Sequence, residues 1–249
     1  PIVLGQNENK CPTGYSVKKG LATDAAQGPT LPSTTACVIF RAAEAYLNYM
    51  EADYELNNSL DANSSKYWKA LRNRAGMDTD FQKTIDATDL SKEIDFARYS
   101  GSEFVSTTLY NIRRERRCEY ISEGLRWMDL CRWRAMDQLM VKPYIPEGMH
   151  LWNTPMERWY DNSAGKTTLV YGTSKANVSS PADSEYLLPY RKTTNQLAYD
   201  GFVWKMAHYL DPIRIDQFQI TSTDGKTIET SPIYQNPYWP TTADMPAEK

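Results

Sequence analysis

From Ala36 to about Asn57, apolar residues return every third or fourth position, and Ile39, Ala43, Tyr46, Leu47 and Met50 share one face. That period predicts an amphipathic helix. Asp61 is a good cap for a second helix, from Ala62 to Ala75, with Trp68 and Leu71 turned inward and Gly76 as its stop. Residues 77–101 read as a connection with acidic patches, and two further helices are expected at about 103–122 and 125–139. Residues 1–35 are rich in Gly, Pro, Thr and Asn, and Pro29 and Pro32 oppose a helix, so irregular extended chain is expected there. After Pro143 no period is sustained. Residues 141–207 read as loops with scattered aromatics and a short helix around Thr154 to Trp159. Leu169-Val170-Tyr171 and Ile228 suit short strands or extended runs. Thr223-Asp224-Gly225-Lys226 suits a turn between extended segments, and 212–219 has room for one short helix. The expected fold class is mostly α, with a large irregular, loop-rich C-terminal region.

Residues 112–133 are the densest in information. Arginines and acids alternate on two predicted helices joined at Gly124. Helix neighbours lie three and four residues apart, so Arg116 is expected to face Glu119, and Glu123 to face Arg126 across the glycine. Gly124 suits the left-handed position past a helix end. Leu125, Trp127, Met128, Leu130 and Trp133 would dock the second helix by packing. Glu115, Glu119 and Glu123 interleave the arginines, which marks a salt-bridged helix and not a basic nucleic-acid patch. The net charge of −3 agrees: no nucleic-acid partner is implied.

This stretch resembles the SusD/RagB family of nutrient-binding outer-membrane proteins of the Bacteroidetes. The family pattern stands here as Glu115-Arg116-Arg117-x-Glu119-x-x-x-Glu123-Gly124-x-Arg126-x-x-Asp129-Leu130-x-Arg132-Trp133. The segment from Phe40 to Ala52 is similar to a family helix, with Met50 where alanine is usual, and Leu71-Arg72-Asn73-Arg74-Ala75-Gly76 is similar to the element after it. His208-Tyr209-Leu210-Asp211-Pro212-Ile213 and Gln235-Asn236-Pro237-Tyr238-Trp239 resemble the closing elements, with Tyr238 in place of a glycine and Arg214 in place of a proline. The 36–76 pair also resembles a tetratricopeptide hairpin, and one such hairpin needs neighbours to cover its face. The resemblance implies that residues 1–249 are the C-terminal part of a single SusD-like domain whose N-terminal part supplies further helices. It also implies a lipoprotein on the extracellular face of the outer membrane, anchored through an N-terminal segment upstream of this chain. Such a protein passes an oligosaccharide to a SusC-like TonB-dependent transporter.

Composition adds three constraints. Tyr (17) outnumbers Phe (6), which suits rings with one wet edge. Cys11, Cys37, Cys118 and Cys131 permit three full pairings, but none forms a C-x-x-C; buried free thiols are expected for the last three, and zinc is not. No run approaches the ~20 apolar residues of a membrane span, and no signal peptide opens the chain.

Candidate chemistry is sparse. His150 and His208 lie in no metal-ligand spacing, His208 is expected to pack, and there is neither a serine-hydrolase elbow nor a phosphate loop, so no cofactor is expected. Glu115, Glu119, Glu123 and Asp129 have arginine neighbours that favour the ionised form, the reverse of what a general acid needs. A non-catalytic sugar site is the better expectation: flat rings against pyranose C–H faces, with polar groups selecting hydroxyls. Trp152, Trp159 and Tyr160, with Asn153, Arg158 and Asp161, are the candidates in the loop-rich region; the competing reading places these rings under the loop as core. Trp68, Trp127 and Trp133 are assigned to packing, and Tyr238 and Trp239 to holding the C-terminal tail. Alternatives to oligosaccharide capture are a RagB-like peptide binder, a helical-repeat scaffold that binds protein through the 36–76 hairpin, and a glycosidase.

Overall fold

The computed structural model describes residues 2–4, 10–22, 24–27, 34, 36, 38–242 and 244–248. Pro29, Pro32 and Cys37 therefore lie outside the described residues. Contacts group the chain into two compact units, one of Pro1–Lys18, Leu139–His208 and Pro246–Lys249, the other of Lys19–Gln138 and Tyr209–Met245.

The second unit is helical. Helix α1 (Ala42–Asn57) and helix α2 (Ala62–Arg74) form an antiparallel hairpin. Ala43, Leu47 and Met50 of α1 are buried with Trp68 and Leu71 of α2, as the period predicts. The helix starts at Ala42, later than expected, and Ile39 lies before it, 79% exposed. Asp61 caps α2 by accepting from Ser64 N at 2.7 Å, and Asn58, left-handed at φ 51°, closes α1. Asp53 braces the turn by accepting from Asp61 N (2.9 Å) and Ser64 Oγ (2.6 Å). Gly76, at φ +69°, ends the hairpin in the left-handed conformation that glycine adopts without strain.

The expected 77–101 connection contains a helix that periodicity does not reveal. Helix α3 (Phe81–Asp86) is only six residues long, and its Phe81 stacks on Trp68 with centroids 4.4 Å apart. A 3-10 turn at Phe96–Arg98 leads into a two-residue hairpin, β1 (Tyr99–Ser100) with β2 (Glu103–Phe104). Helix α4 (Thr107–Glu119) then starts later than predicted, at a Ser106 cap that accepts from Leu109 N. Helix α5 (Arg126–Arg132) is about two turns shorter than the expected 125–139, and residues 137–140 form a separate 3-10 turn. The joint between α4 and α5 is a short segment, not one glycine; Ser122 (φ 65°) and Gly124 (φ 80°) are both left-handed. Trp133 is buried, but Trp127 is 60% and Met128 53% exposed, so the packing surface of α5 is narrower than its sequence suggests.

Helix α6 (Ile215–Thr221) occupies the expected region, and the Asp224–Gly225 turn follows it. The turn is flanked by α6 and a 3-10 turn at Ile228–Thr230, not by extended segments. The tail returns as expected: Trp239 Nε1 donates to Leu210 O (2.8 Å), and Gln235 both accepts from Ile213 N and donates to Ile213 O. Cys118 is exposed and Cys11 and Cys131 are half-buried; all three are free thiols. Cys118 is not buried as expected, because it lies on the solvent side of α4, and Cys131 is only partly covered.

The first unit has almost no regular structure. Its core is Val3, Met149, Leu151, Trp152, Tyr160, Leu169, Val178 and Leu187. Residues 148–149 run beside 13–14 and 187, with Met149 N donating to Thr13 O (2.8 Å) and Gly148 N to Leu187 O (2.7 Å). A Cβ on Gly148 would lie 2.3 Å from Thr13 O, so only glycine permits this approach. Residues 169–171 form no strand. Among the described residues no helix is long and apolar enough to cross a membrane.

Candidate ligand-binding site

The acids of the charged corner are the conspicuous alternative to a binding site. Arg116 Nε donates to Asp129 Oδ2 at 2.7 Å, and both side chains are 3% exposed. Arg116 Nη1 also reaches Asn48 of α1. Arg132 grips Glu51 of α1 through two 2.7 Å hydrogen bonds, and Trp133 Nε1 donates to the same carboxylate. Glu115 accepts from Trp68 Nε1 (2.8 Å) and from Nε and Nη2 of Arg72 (3.0 Å each), which ties α2 to α4. Arg41 and Arg74 pair with Glu119, Arg41 and Lys19 with Glu123, and Arg117 and Arg126 with Asp95. The local pairs expected from helix spacing, Arg116 with Glu119 and Glu123 with Arg126, do not form. Each group reaches a different element instead.

Electrostatics follow from this wiring. Burial alone would raise the Glu51, Asp95 and Glu119 carboxyls. The arginines outweigh it and hold all three below the usual carboxylate range. Glu123 is likewise held low by Lys19 and Arg41 against its desolvation. Glu51, Arg113, Arg132 and Trp133 line an open cleft of about 360 Å³. Glu51 pairs with Arg132, and Glu55, a half-exposed acid of the same lining, stands 3.6 Å from Arg113, so each acid of the cleft faces an arginine.

The loop-rich unit carries the candidate ligand residues. Thr154 accepts from Met156 N (3.2 Å) and donates to Leu151 O (2.7 Å), which sets the 3-10 turn Pro155–Tyr160 on the core. Trp152 and Tyr160 point inward, each 3% exposed, and Trp152 meets Tyr171 edge to face at 5.1 Å. These two rings have no face to offer; the core reading holds for them. Trp159 is 63% exposed, and Arg158, beside it on the turn, is exposed. Asn153 is left-handed (φ 62°); its N–H is taken by Glu157 and its Nδ2 donates to Glu185 Oε1 at 3.1 Å. Asp161 is exposed and bridges to Thr167. Of the six candidates, Trp159 is thus the one ring with a wet face, with Arg158 as its neighbour. Burial separates the rings, and sequence alone offers no signal for it where no period runs.

The histidines take structural positions. His150 stacks on Tyr186 at 4.9 Å, and His208 meets Trp204 edge to face at 5.3 Å while Nδ1 accepts from Lys205 N. Among the described residues no group of His, Cys, Asp and Glu has the geometry to hold a metal ion.

Neither the curated proteins nor the solved structures contain a significant match to this chain. The sequence profile of the SusD family (SusD_RagB) matches residues 3–239, nearly the whole chain, including the paired corner, the hairpin and the closing tail. The chain therefore belongs to the SusD family, whose members are cell-surface nutrient-binding proteins.

Proposed function

We propose that this chain captures oligosaccharides at the outer-membrane surface and passes them to a SusC-like TonB-dependent transporter, without chemistry of its own. A lipid anchor upstream of the chain and an N-terminal part of the same protein complete this reading. The observation that carries it is the family match over residues 3–239. The engaged acids of the corner support the non-catalytic half: a general acid needs a raised pKa, and Glu51, Glu119 and Glu123 are lowered. Trp159 supports the sugar half. An exposed indole beside an arginine suits the apolar face and hydroxyl edge of a pyranose.

A glycan array followed by calorimetric titration tests the reading on the intact protein. Trp159→Ala is expected to weaken the identified glycan about tenfold, since one lost aromatic platform is worth roughly 1–2 kcal/mol. Unchanged affinity removes Trp159 from the site. Release of shortened glycan products by the pure protein overturns the non-catalytic assignment.

A further inference from the structure

A second cleft, of about 370 Å³, opens in the loop-rich unit and is lined by residues 172–174, 180, 183, 191–194 and 199. Its floor is braced. Gln196 Oε1 accepts from Lys192 N (2.7 Å) and Thr193 N (3.3 Å), and Arg191 Nε donates to Tyr199 O at 2.8 Å. The Arg191 guanidinium sits 5.4 Å from the centre of the Tyr199 ring. With Nε tied to Tyr199 O and Cζ over the Tyr199 ring, the guanidinium is held in place before any ligand arrives. Among the described residues, its two terminal nitrogens have no hydrogen-bond partner.

The adjacent charges are unbalanced. Lys192 is half-buried, and among the described residues no carboxylate lies within ion-pair distance of it. Burial and the positive charge of Lys10 lower its pKa, as expected of an ammonium that lacks an anion. Asp183 is the single acid of the lining against two cations, in a protein whose net charge is −3. The hydroxyls of Ser174 and Thr194 point to no protein partner among the described residues.

We propose that this cleft holds a carboxylated sugar, a uronate unit of an acidic oligosaccharide. The carboxylate would take the two open nitrogens of Arg191 as a bidentate pair, with Lys192 as a second cation. Ser174, Thr194 and Asp183 would serve the ring hydroxyls, and Tyr199 an apolar face. A rigid, pre-set arginine loses little entropy on binding, which favours a two-point anion over a neutral hydroxyl. The proposal rests on the glycan-capture reading and names the glycan class for it.

The test is calorimetry on the intact protein, with galacturonate, glucuronate and mannuronate trimers, their fully methyl-esterified forms, a neutral hexose trimer and trialanine. At least one uronate trimer is expected to bind, with its methyl ester tenfold or more weaker. Lys192→Gln and Arg191→Lys, each shown by circular dichroism to be folded, are expected to weaken the acid form by tenfold or more. Equal affinity for acid and ester, or unchanged affinity in both variants, overturns the proposal. Trialanine binding that is lost in Lys192→Gln overturns it in favour of a peptide carboxylate. Binding of the neutral trimer with no uronate binding sinks this inference and leaves glycan capture standing; no binding of any glycan sinks both.

Discussion

Arg116 and Asp129 sit 2.7 Å apart with both side chains almost wholly removed from water. A buried ion pair adds little over two apolar residues, but breaking one half of it strands a charge. Asp129→Asn leaves Arg116 buried without its counter-ion, and it also weakens the 3.0 Å contact with Arg132. The expected cost is about 3–5 kcal/mol, read as a drop in the urea midpoint with an unchanged slope. The sequence shows that these charges belong to a salt-bridged corner, yet it misassigns the partners. Helix spacing reports which residues are neighbours on one surface. It says nothing of the long guanidinium arms that cross to another helix, as Arg132 does to Glu51 and Arg41 to Glu119. Trp152 and Tyr160 teach the same lesson: type and neighbourhood suit a sugar site, and burial decides otherwise.

Helices with strong caps and several turns are legible in the chain. The hairpin of α1 and α2 follows from its apolar stripe, from Asp61 and from Gly76. The six residues of α3 cover less than two turns, so their apolar pair, Phe81 and Ile85, cannot establish a period. The loop-rich unit is illegible for a related reason. Its core rests on close backbone approaches and side-chain braces, and none of these leaves a repeat. Gly148 is the clearest such contact, and Gly148→Ala forces a Cβ against backbone that has no room to yield. The expected penalty is about 1–3 kcal/mol. Limited proteolysis should show faster cleavage within residues 10–18, which dock on 148–149; an unchanged cleavage rate would mean that this segment is held by other contacts.

For the molecule as a whole, the corner makes stability depend on pH in a defined direction. Glu51, Asp95, Glu119 and Glu123 all have folded pKa values below the ordinary carboxylate range. Their contribution is fully present well above the unfolded values of about 4, and it is lost as pH falls through the lower folded values. The thermal midpoint should therefore stay level above about pH 6 and fall steeply below about pH 4; a midpoint that is flat from pH 6 to 3 contradicts the wiring. In the proposed function the arginine–acid corner supports a binding protein and does not itself touch the ligand. The most direct measurement is calorimetric affinity for the glycan found by array, in folded Asp129→Asn beside the parent protein. Affinity within about twofold of the parent is expected, alongside the lowered urea midpoint. A parent-like midpoint with affinity lost tenfold or more would place that carboxylate in the ligand site and contradict it.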